Sequence, residues 1–258
     1  MELMRIDQTH YTEYEDLLLE RDQLEKEAGS IWIAYVQEFG QLITEVFEEK
    51  IECIKRKKTI SFYQKAKNQG KNLNTAELQA YLKREMAAYE AHLKRMMLEK
   101  EEAERAEVST PYEVQRSKAL YRRLAKLLHP DTHPQVYQNE TLMELWQRAV
   151  EAYAQNDVKA LTEIEVLTHK ALQGAPSAVI QLPDLEERIE QVKTEIQDII
   201  STEPYIYKDI LEDEAQKENL RQELEEELDS YRRYKDQLDA TIEELFQEGG
   251  LKILWQMN

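Results

Sequence analysis

Residues 110–131, which read TPYEVQRSKALYRRLAKLLHPD, decide how the chain is organised. Thr110 is a good helix N-cap, a proline follows it at the first helical position, and Glu113 lies where its carboxylate can bond the cap amide. Pro130 disfavours helical geometry in the residue before it. The stretch therefore predicts one helix that begins after Thr110 and ends at His129.

Outside this stretch, apolar residues recur at the spacing of one helix face, and the chain has only six Gly and six Pro to interrupt helices. The pattern predicts an all-α fold. Asn74 and Asp184 are each followed three positions on by a glutamate, so we expect both to cap helices. The predicted helices cover, approximately, residues 11–57, 59–68, 74–106, 111–129, 141–154, 157–172, 184–200, and a last long one that restarts at 201–204 and runs to 249.

The stretches Val-Ser-Thr-Pro at 108–111 and Gln-Gly-Ala-Pro-Ser at 173–177 mark two boundaries. They divide the chain into an N-terminal helical arm at 1–107, a helical unit at 108–172 and an acidic C-terminal helical arm at 173–258. Each arm carries a long helix with one apolar stripe, and such a helix needs a partner in water. We expect the two to lie side by side in a coiled-coil-like arm, either as an antiparallel pair or as the seam of a homodimer.

Composition excludes several classes of function. The formal net charge of −18 argues against general binding to nucleic acid or to anionic membranes. Cys53 is the single cysteine, and no run of 18 apolar residues could span a membrane. The first residues lack the basic and apolar parts of a signal peptide, so we expect a cytoplasmic protein. Without a Gly-rich phosphate loop or another catalytic motif, we expect no enzyme and no cofactor.

Charge is sorted along the chain. Residues 50–71 contain eight basic residues and one acidic residue, whereas 184–248 contain 22 acidic and eight basic ones. A basic run is one signature of nucleic-acid binding. Because the whole chain would repel phosphate, we instead expect the two regions to pair, within the fold or between subunits.

The end of the quoted stretch and a segment beyond it carry a recognisable pattern. YRRLAKLLHPD at 121–131 resembles the second helix and loop of the J-domain family, which run close to Tyr-Arg-Lys-Leu-Ala-x-x-Tyr-His-Pro-Asp. WQRAVEAY at 146–153 resembles the family's third helix at the same internal spacing. The tripeptide alone is a weak signal, but it follows a basic amphipathic helix and precedes the second segment at about the family's distance.

The resemblance implies a co-chaperone or adaptor that docks on a DnaK-class heat-shock chaperone and stimulates its ATPase. The residues themselves agree, since a basic stripe on an acidic chain steers acidic partners and a carboxylate after a helix-ending proline can accept hydrogen bonds from a partner's arginine. We expect Asp131 to face solvent. The predicted partner-binding residues are His129, Pro130, Asp131, Arg122, Arg123, Lys126 and Lys118.

The family's first-helix pattern is absent before Thr110. A two-helix hairpin cannot bury its own apolar residues, so we expect another segment to cover it. The helix that ends near Ala106 is the nearest in sequence, and it offers Leu93, Met96 and Met97.

Two alternatives remain beside the chaperone contact. His129, Asp131 and His133 are ligand types found in metal sites, but Pro130 and Pro134 constrain the backbone and no fourth ligand is evident, so we expect no metal. The second alternative is a coiled-coil scaffold that keeps the hairpin for structure alone. In that case the tripeptide only caps a helix and turns the chain.

Overall fold

A computed structural model describes residues 2–70, 74–106, 109–172 and 184–249. Within these ranges every regular element is helical and no strand occurs, which confirms the predicted all-α fold. None of the described helices is long and apolar enough to cross a membrane. The elements are α1 (Glu2–Asn68), α2 (Thr75–Arg105), α3 (Pro111–Leu128), a 3₁₀ turn (Pro134–Val136), α4 (Glu140–Ala154), α5 (Val158–Leu172), α6 (Leu185–Ser201), α7 (Tyr207–Glu212) and α8 (Glu214–Gly249).

Two predicted helix boundaries are wrong. The expected break near residue 58 is absent, because no Gly or Pro interrupts the chain there and the Thr59 hydroxyl donates to Lys55 O within the helix. The last long helix does not restart at 201–204. A short α7 comes first, and Asp213 then caps α8 by accepting hydrogen bonds from the amides of Ala215 and Gln216.

The predicted caps have different outcomes. The Thr110 hydroxyl accepts from the amide of Glu113, whose carboxylate accepts from the amide of Thr110, so this capping box is confirmed. Asn74 also caps α2 as expected. Asp184 precedes α6, but its φ is +58° and its side chain makes no cap hydrogen bond, so the expected Asp184 cap is wrong. The boundary proposed at 173–177 lies outside the described residues.

The chain forms two compact units whose limits differ from the three sequence divisions. The first unit combines Met1–Ile31 with Glu107–Ile206, and the second combines Trp32–Ala106 with Tyr207–Asn258. Helix α1 thus contributes its first part to one unit and the remainder to the other.

The core of the first unit is built by α3, α4 and α5, which pack on one another around fully buried leucines such as Leu120, Leu124 and Leu161. Leu19 of α1 packs against this core. A second cluster joins α1 to α6, with Tyr14 and Leu18 against the apolar stripe of α6.

The hairpin formed by α3 and α4 is therefore covered by the first part of α1 together with α5. The expectation that Leu93, Met96 and Met97 of α2 would cover it is wrong, since α2 belongs to the second unit.

In the second unit, α1 lies beside both α8 and α2. Contacts of Glu38 with Arg221, Arg56 with Asp239 and Tyr63 with Phe246 advance in the same direction along both chains. Helices α1 and α8 therefore run parallel within one chain. Their predicted side-by-side packing is confirmed, whereas the antiparallel arrangement is wrong.

Part of the basic segment does pair with the acidic C-terminal region. The Arg56 guanidinium lies 2.7 Å from the Asp239 carboxylate, and Lys58 pairs with Glu85 of α2 at 2.9 Å. Burial lowers the pKa of Arg56, but its hydrogen bonds to Asp239 and Glu52 outweigh this effect and raise the pKa overall. The hydrogen bond to Glu85 raises the pKa of Lys58. Charge pairing within the fold was one of the two outcomes expected for this segment.

The parallel arrangement can be tested by cross-linking. In a Cys53→Ala background, Glu38→Cys and Arg221→Cys should be joined within one chain by a short bismaleimide, because these positions face each other across α1 and α8. The matched pair, Glu38→Cys with Asp239→Cys, should not react within one chain. Gel mobility and peptide mass spectrometry give the readout, and the reverse pattern would contradict the parallel pairing.

Candidate partner-binding site

The loop at 129–131 is held by backbone hydrogen bonds at the end of α3. The amide of His129 donates to Ala125 O at 2.9 Å and closes the last helical turn. The amides of Thr132 and His133 then donate to His129 O at 3.1 and 2.8 Å. Because Pro130 has no N–H to extend the helix, these bonds fold the chain into a tight turn.

His129 lies inside the first unit and not on its surface. Its side chain is only 6% exposed, and its ring centroid lies 4.8 Å from that of Trp146. The Nδ1 atom accepts a hydrogen bond from the Asp131 amide at 3.2 Å, while Nε2 lies 3.7 Å from the Asp22 carboxylate. This arrangement fits a ring whose proton is on Nε2, facing Asp22.

Burial lowers the pKa of His129, since a charged imidazolium is poorly solvated there. Asp22 and Asp131 act in the opposite direction, whereas Arg21 and His133 lower the pKa further. The net direction is downward, so the ring is neutral at neutral pH.

Asp22 is the acceptor around which this part of the unit is arranged. Its carboxylate accepts from the Tyr121 hydroxyl at 2.7 Å and from Arg21 at 3.0 Å. Arg21 also donates to Glu195 of α6 at 3.1 Å. Burial, together with the Asp22 charge, raises the pKa of Tyr121. The phenol therefore stays protonated and acts as a donor.

Sequence reasoning did not single out Asp22 or Arg21. They lie within the α1 pattern as ordinary polar residues, and nothing local marks them as buried partners. The Tyr121 position was recognised, but its hydroxyl partner on α1 was not.

Asp131 is more enclosed than the sequence predicted. Its side chain is 35% exposed, and it lines a polar cavity of about 330 Å³ together with Tyr14, Arg21 and Arg188. The Tyr11 hydroxyl donates to Thr132 O at 3.0 Å, which places α1 against the next residue of the loop. The expectation of a freely solvated carboxylate is corrected to a partly exposed one.

The predicted basic residues on α3 are all exposed, but they differ in their partners. Arg122 forms an ion pair with Asp16 of α1 at 3.0 Å. Two guanidinium nitrogens of Arg123 donate to the Glu165 carboxylate of α5, at 2.5 and 3.2 Å. For Lys118 and Lys126 the described residues give no ion pair of this kind. Lys126 still interacts with the charge of Glu15 on α1, so of the four residues Lys118 keeps the most of its charge available for a partner.

The third member of the metal hypothesis, His133, is bound to the backbone, since its Nε2–H donates to Lys126 O at 2.8 Å. His129 Nδ1 is likewise occupied by the Asp131 amide. Across the described parts of the chain, no three His, Cys, Asp or Glu residues are grouped as a metal site would need.

Acid should destabilise the first unit through His129. Because its pKa is lower folded than unfolded, where it is about 6.5, its stabilising contribution is present above that pH and is lost as the pH falls below it. Urea unfolding followed by circular dichroism, from about pH 7.5 to about pH 5.5, should show this loss. The variant His129→Asn should show a weaker dependence of the unfolding free energy on pH, whereas His133→Asn should not. Equal slopes for the His129→Asn variant and the unmodified chain would contradict this assignment.

Comparison with known proteins gave no match to the chain. Protein-family models, curated proteins and solved structures were all compared, and none matched.

Proposed function

We propose that the first unit docks on a DnaK-class heat-shock chaperone and stimulates its ATPase, as a divergent J-domain-like co-chaperone or adaptor. The single observation that carries the proposal is the basic helix α3 followed at once by His129-Pro130-Asp131, with α4 packed against it. A cytoplasmic location and a homodimer formed through the long helices belong to the same proposal.

The accessible part of the loop supports a contact through Asp131. About a third of its side chain is exposed, and a carboxylate there can accept charge-assisted hydrogen bonds from a partner's arginine. His129 and Pro130 are buried, so in this proposal they position the loop and do not touch the chaperone.

The charge on α3 supports an electrostatic approach. Lys118 and Lys126 are exposed on an otherwise acidic chain, so they would attract an acidic chaperone surface. Arg122 and Arg123 would take part only by exchanging Asp16 and Glu165 for acidic groups of the chaperone.

A scaffold that keeps the hairpin for structure alone is the second candidate. The observation that favours it is the burial of His129, whose ring packs on Trp146 and faces Asp22. In this case the tripeptide would end α3 and pack against α1, and it would bind no partner protein.

Asp131→Asn separates the two candidates. If the chaperone contact is made, the variant should keep its melting temperature and lose stimulation, because Asn keeps the shape but cannot form the charge-assisted bonds. Single-turnover ATP hydrolysis by the host's DnaK-class protein is the measurement. Asp198→Asn, an exposed change on α6 of the same unit, should stimulate like the unmodified chain.

Three outcomes of the ATP hydrolysis and melting measurements are informative. If the unmodified chain stimulates ATP hydrolysis at no salt concentration, the chaperone proposal is refuted and the scaffold remains as the candidate function. Full stimulation by Asp131→Asn would place the contact elsewhere on the unit. A large loss of stability in Asp131→Asn would show that the carboxylate is structural.

The two exposed lysines of α3, Lys118 and Lys126, should set the rate of association. Lys118→Gln and Lys126→Gln together should slow binding to the chaperone at low salt and make the rate less salt-dependent, since steering depends on charge. Stopped-flow association at several salt concentrations tests this, with Lys159→Gln and Lys170→Gln together on α5 as the matched double change. If both variants show the same salt dependence, α3 does not steer the encounter.

A further inference from the structure

The core shared by α3, α4 and α5 depends little on α1. The backbones of these three helices approach one another closely, and the buried apolar residues of the cluster come from them and from the 3₁₀ turn. Among the described residues of α1, only the partly buried Leu19 packs against this cluster. The first part of α1 therefore lies on the core as a cover.

The surface under this cover carries predicted partner-binding residues. Asp16 of α1 forms the ion pair with Arg122, and the Tyr11 hydroxyl donates to the backbone of the loop that follows α3. The Glu15 carboxylate interacts with the charge of Lys126. The same groups of α3 that would attract a partner are thus already in contact with α1.

The first part of α1 has the charge that is expected of an acidic partner. Residues 2–31 contain nine acidic and three basic residues, whereas α3 contains one acidic and five basic residues. The side chains of Arg122 and Asp16 are 57% and 51% exposed, and exposed ion pairs contribute little to stability. An acidic surface could therefore replace the carboxylates of α1 on α3 at a small cost in free energy.

The cover is loosely packed near the loop. Asp131 lines a cavity of about 330 Å³ with α1 and α6, and another of about 460 Å³ with α1 and α4. Such open space means that few van der Waals contacts hold the cover there. Tyr14 and Leu18 of α1 pack instead against the apolar stripe of α6, and Glu13 pairs with Lys193 of α6 at 3.1 Å. Helices α1 and α6 therefore form a pair that can leave α3 together.

We propose that the first part of α1, with α6 packed on it, is an autoinhibitory cover that competes with an acidic chaperone surface for α3 and the loop at 129–131. The inference rests on the proposed function, because it names the regulation of that same site. When the cover leaves, Arg122 and Lys126 lose their carboxylate neighbours on α1 and become available to the chaperone. The apparent affinity for the chaperone is then reduced by the fraction of chains that are open.

Thiol labelling measures this opening without a chaperone. In a Cys53→Ala background, Ala125→Cys places a thiol at the narrow gap between α1 and α3, whereas Ala149→Cys places one inside the core of α3, α4 and α5. The thiol at 125 should react at least about tenfold faster than global unfolding of the same variant allows, and the thiol at 149 should not. Its rate should also depend less on urea, because opening exposes less surface than unfolding. Ala152→Cys replaces the core variant if that one does not fold.

Stimulation of the chaperone ATPase measures the competition. Asp16→Asn should lower the concentration of the chain at half-maximal stimulation about two- to fivefold, the effect expected for loss of one exposed ion pair. Glu13→Gln removes the same charge from α1, but Glu13 faces Lys193 of α6, so this variant should behave like the unmodified chain. Tyr11→Phe changes no charge, and it should act in the same direction as Asp16→Asn.

Locking the cover should have the opposite effect. In the Cys53→Ala background, Asp16→Cys and Arg122→Cys joined by a short bismaleimide should lose stimulation, compared with the same chain whose two thiols are capped by N-ethylmaleimide. Glu13→Cys and Lys193→Cys join α1 to α6 and should keep stimulation when they are cross-linked, because this pair leaves α3 together.

The autoinhibition is overturned if the thiol at 125 reacts only at the rate of global unfolding, since α1 would then be part of the core. It is also overturned if Asp16→Asn and Glu13→Gln stimulate alike, or if the cross-link from α1 to α3 leaves stimulation unchanged. In each of these cases the unmodified chain still stimulates, so the chaperone contact stands. Fast labelling at 125 without stimulation by any variant would instead refute the chaperone contact, and the inhibition with it.

Discussion

The carboxylate of Asp22 is the constraint on which the first unit depends. It is only 11% exposed, and a buried charge is costly unless donors surround it. Tyr121 and Arg21 supply those donors, and the Nε2 side of His129 faces the same carboxylate. One acceptor on α1 thereby fixes the position of α3, of the turn at its end and, through Arg21, of α6.

Local features of this fold were predictable from sequence because they depend on neighbours in the chain. The capping box at Thr110 and Glu113 and the stop imposed by Pro130 involve residues within a few positions of one another. At Asp213 the Gln216 side chain, three positions on, donates to the capping carboxylate, so this spacing could have located the start of α8. The left-handed backbone of Asp184, in contrast, has no such local signature.

Long-range features were not predictable, for a different reason. An apolar stripe is satisfied by a parallel or an antiparallel neighbour, so the stripe on α8 could not reveal its direction relative to α1. The burial of His129 likewise depends on Asp22 and Trp146, which come from other helices. The sequence located the candidate loop, but it could not show how much of that loop remains accessible.

The contacts of the loop also bear on the order in which the chain folds. Helices α3, α4 and α5 follow one another closely, so their core closes short loops. The bond from Tyr11 to Thr132 and that from Arg21 to Glu195 span 121 and 174 residues. Local contacts generally form first. We therefore expect α1 to pack only after α3 and α6 have formed, although it is synthesised before them. Until α1 packs, His129 of the nascent hairpin should be exposed to solvent.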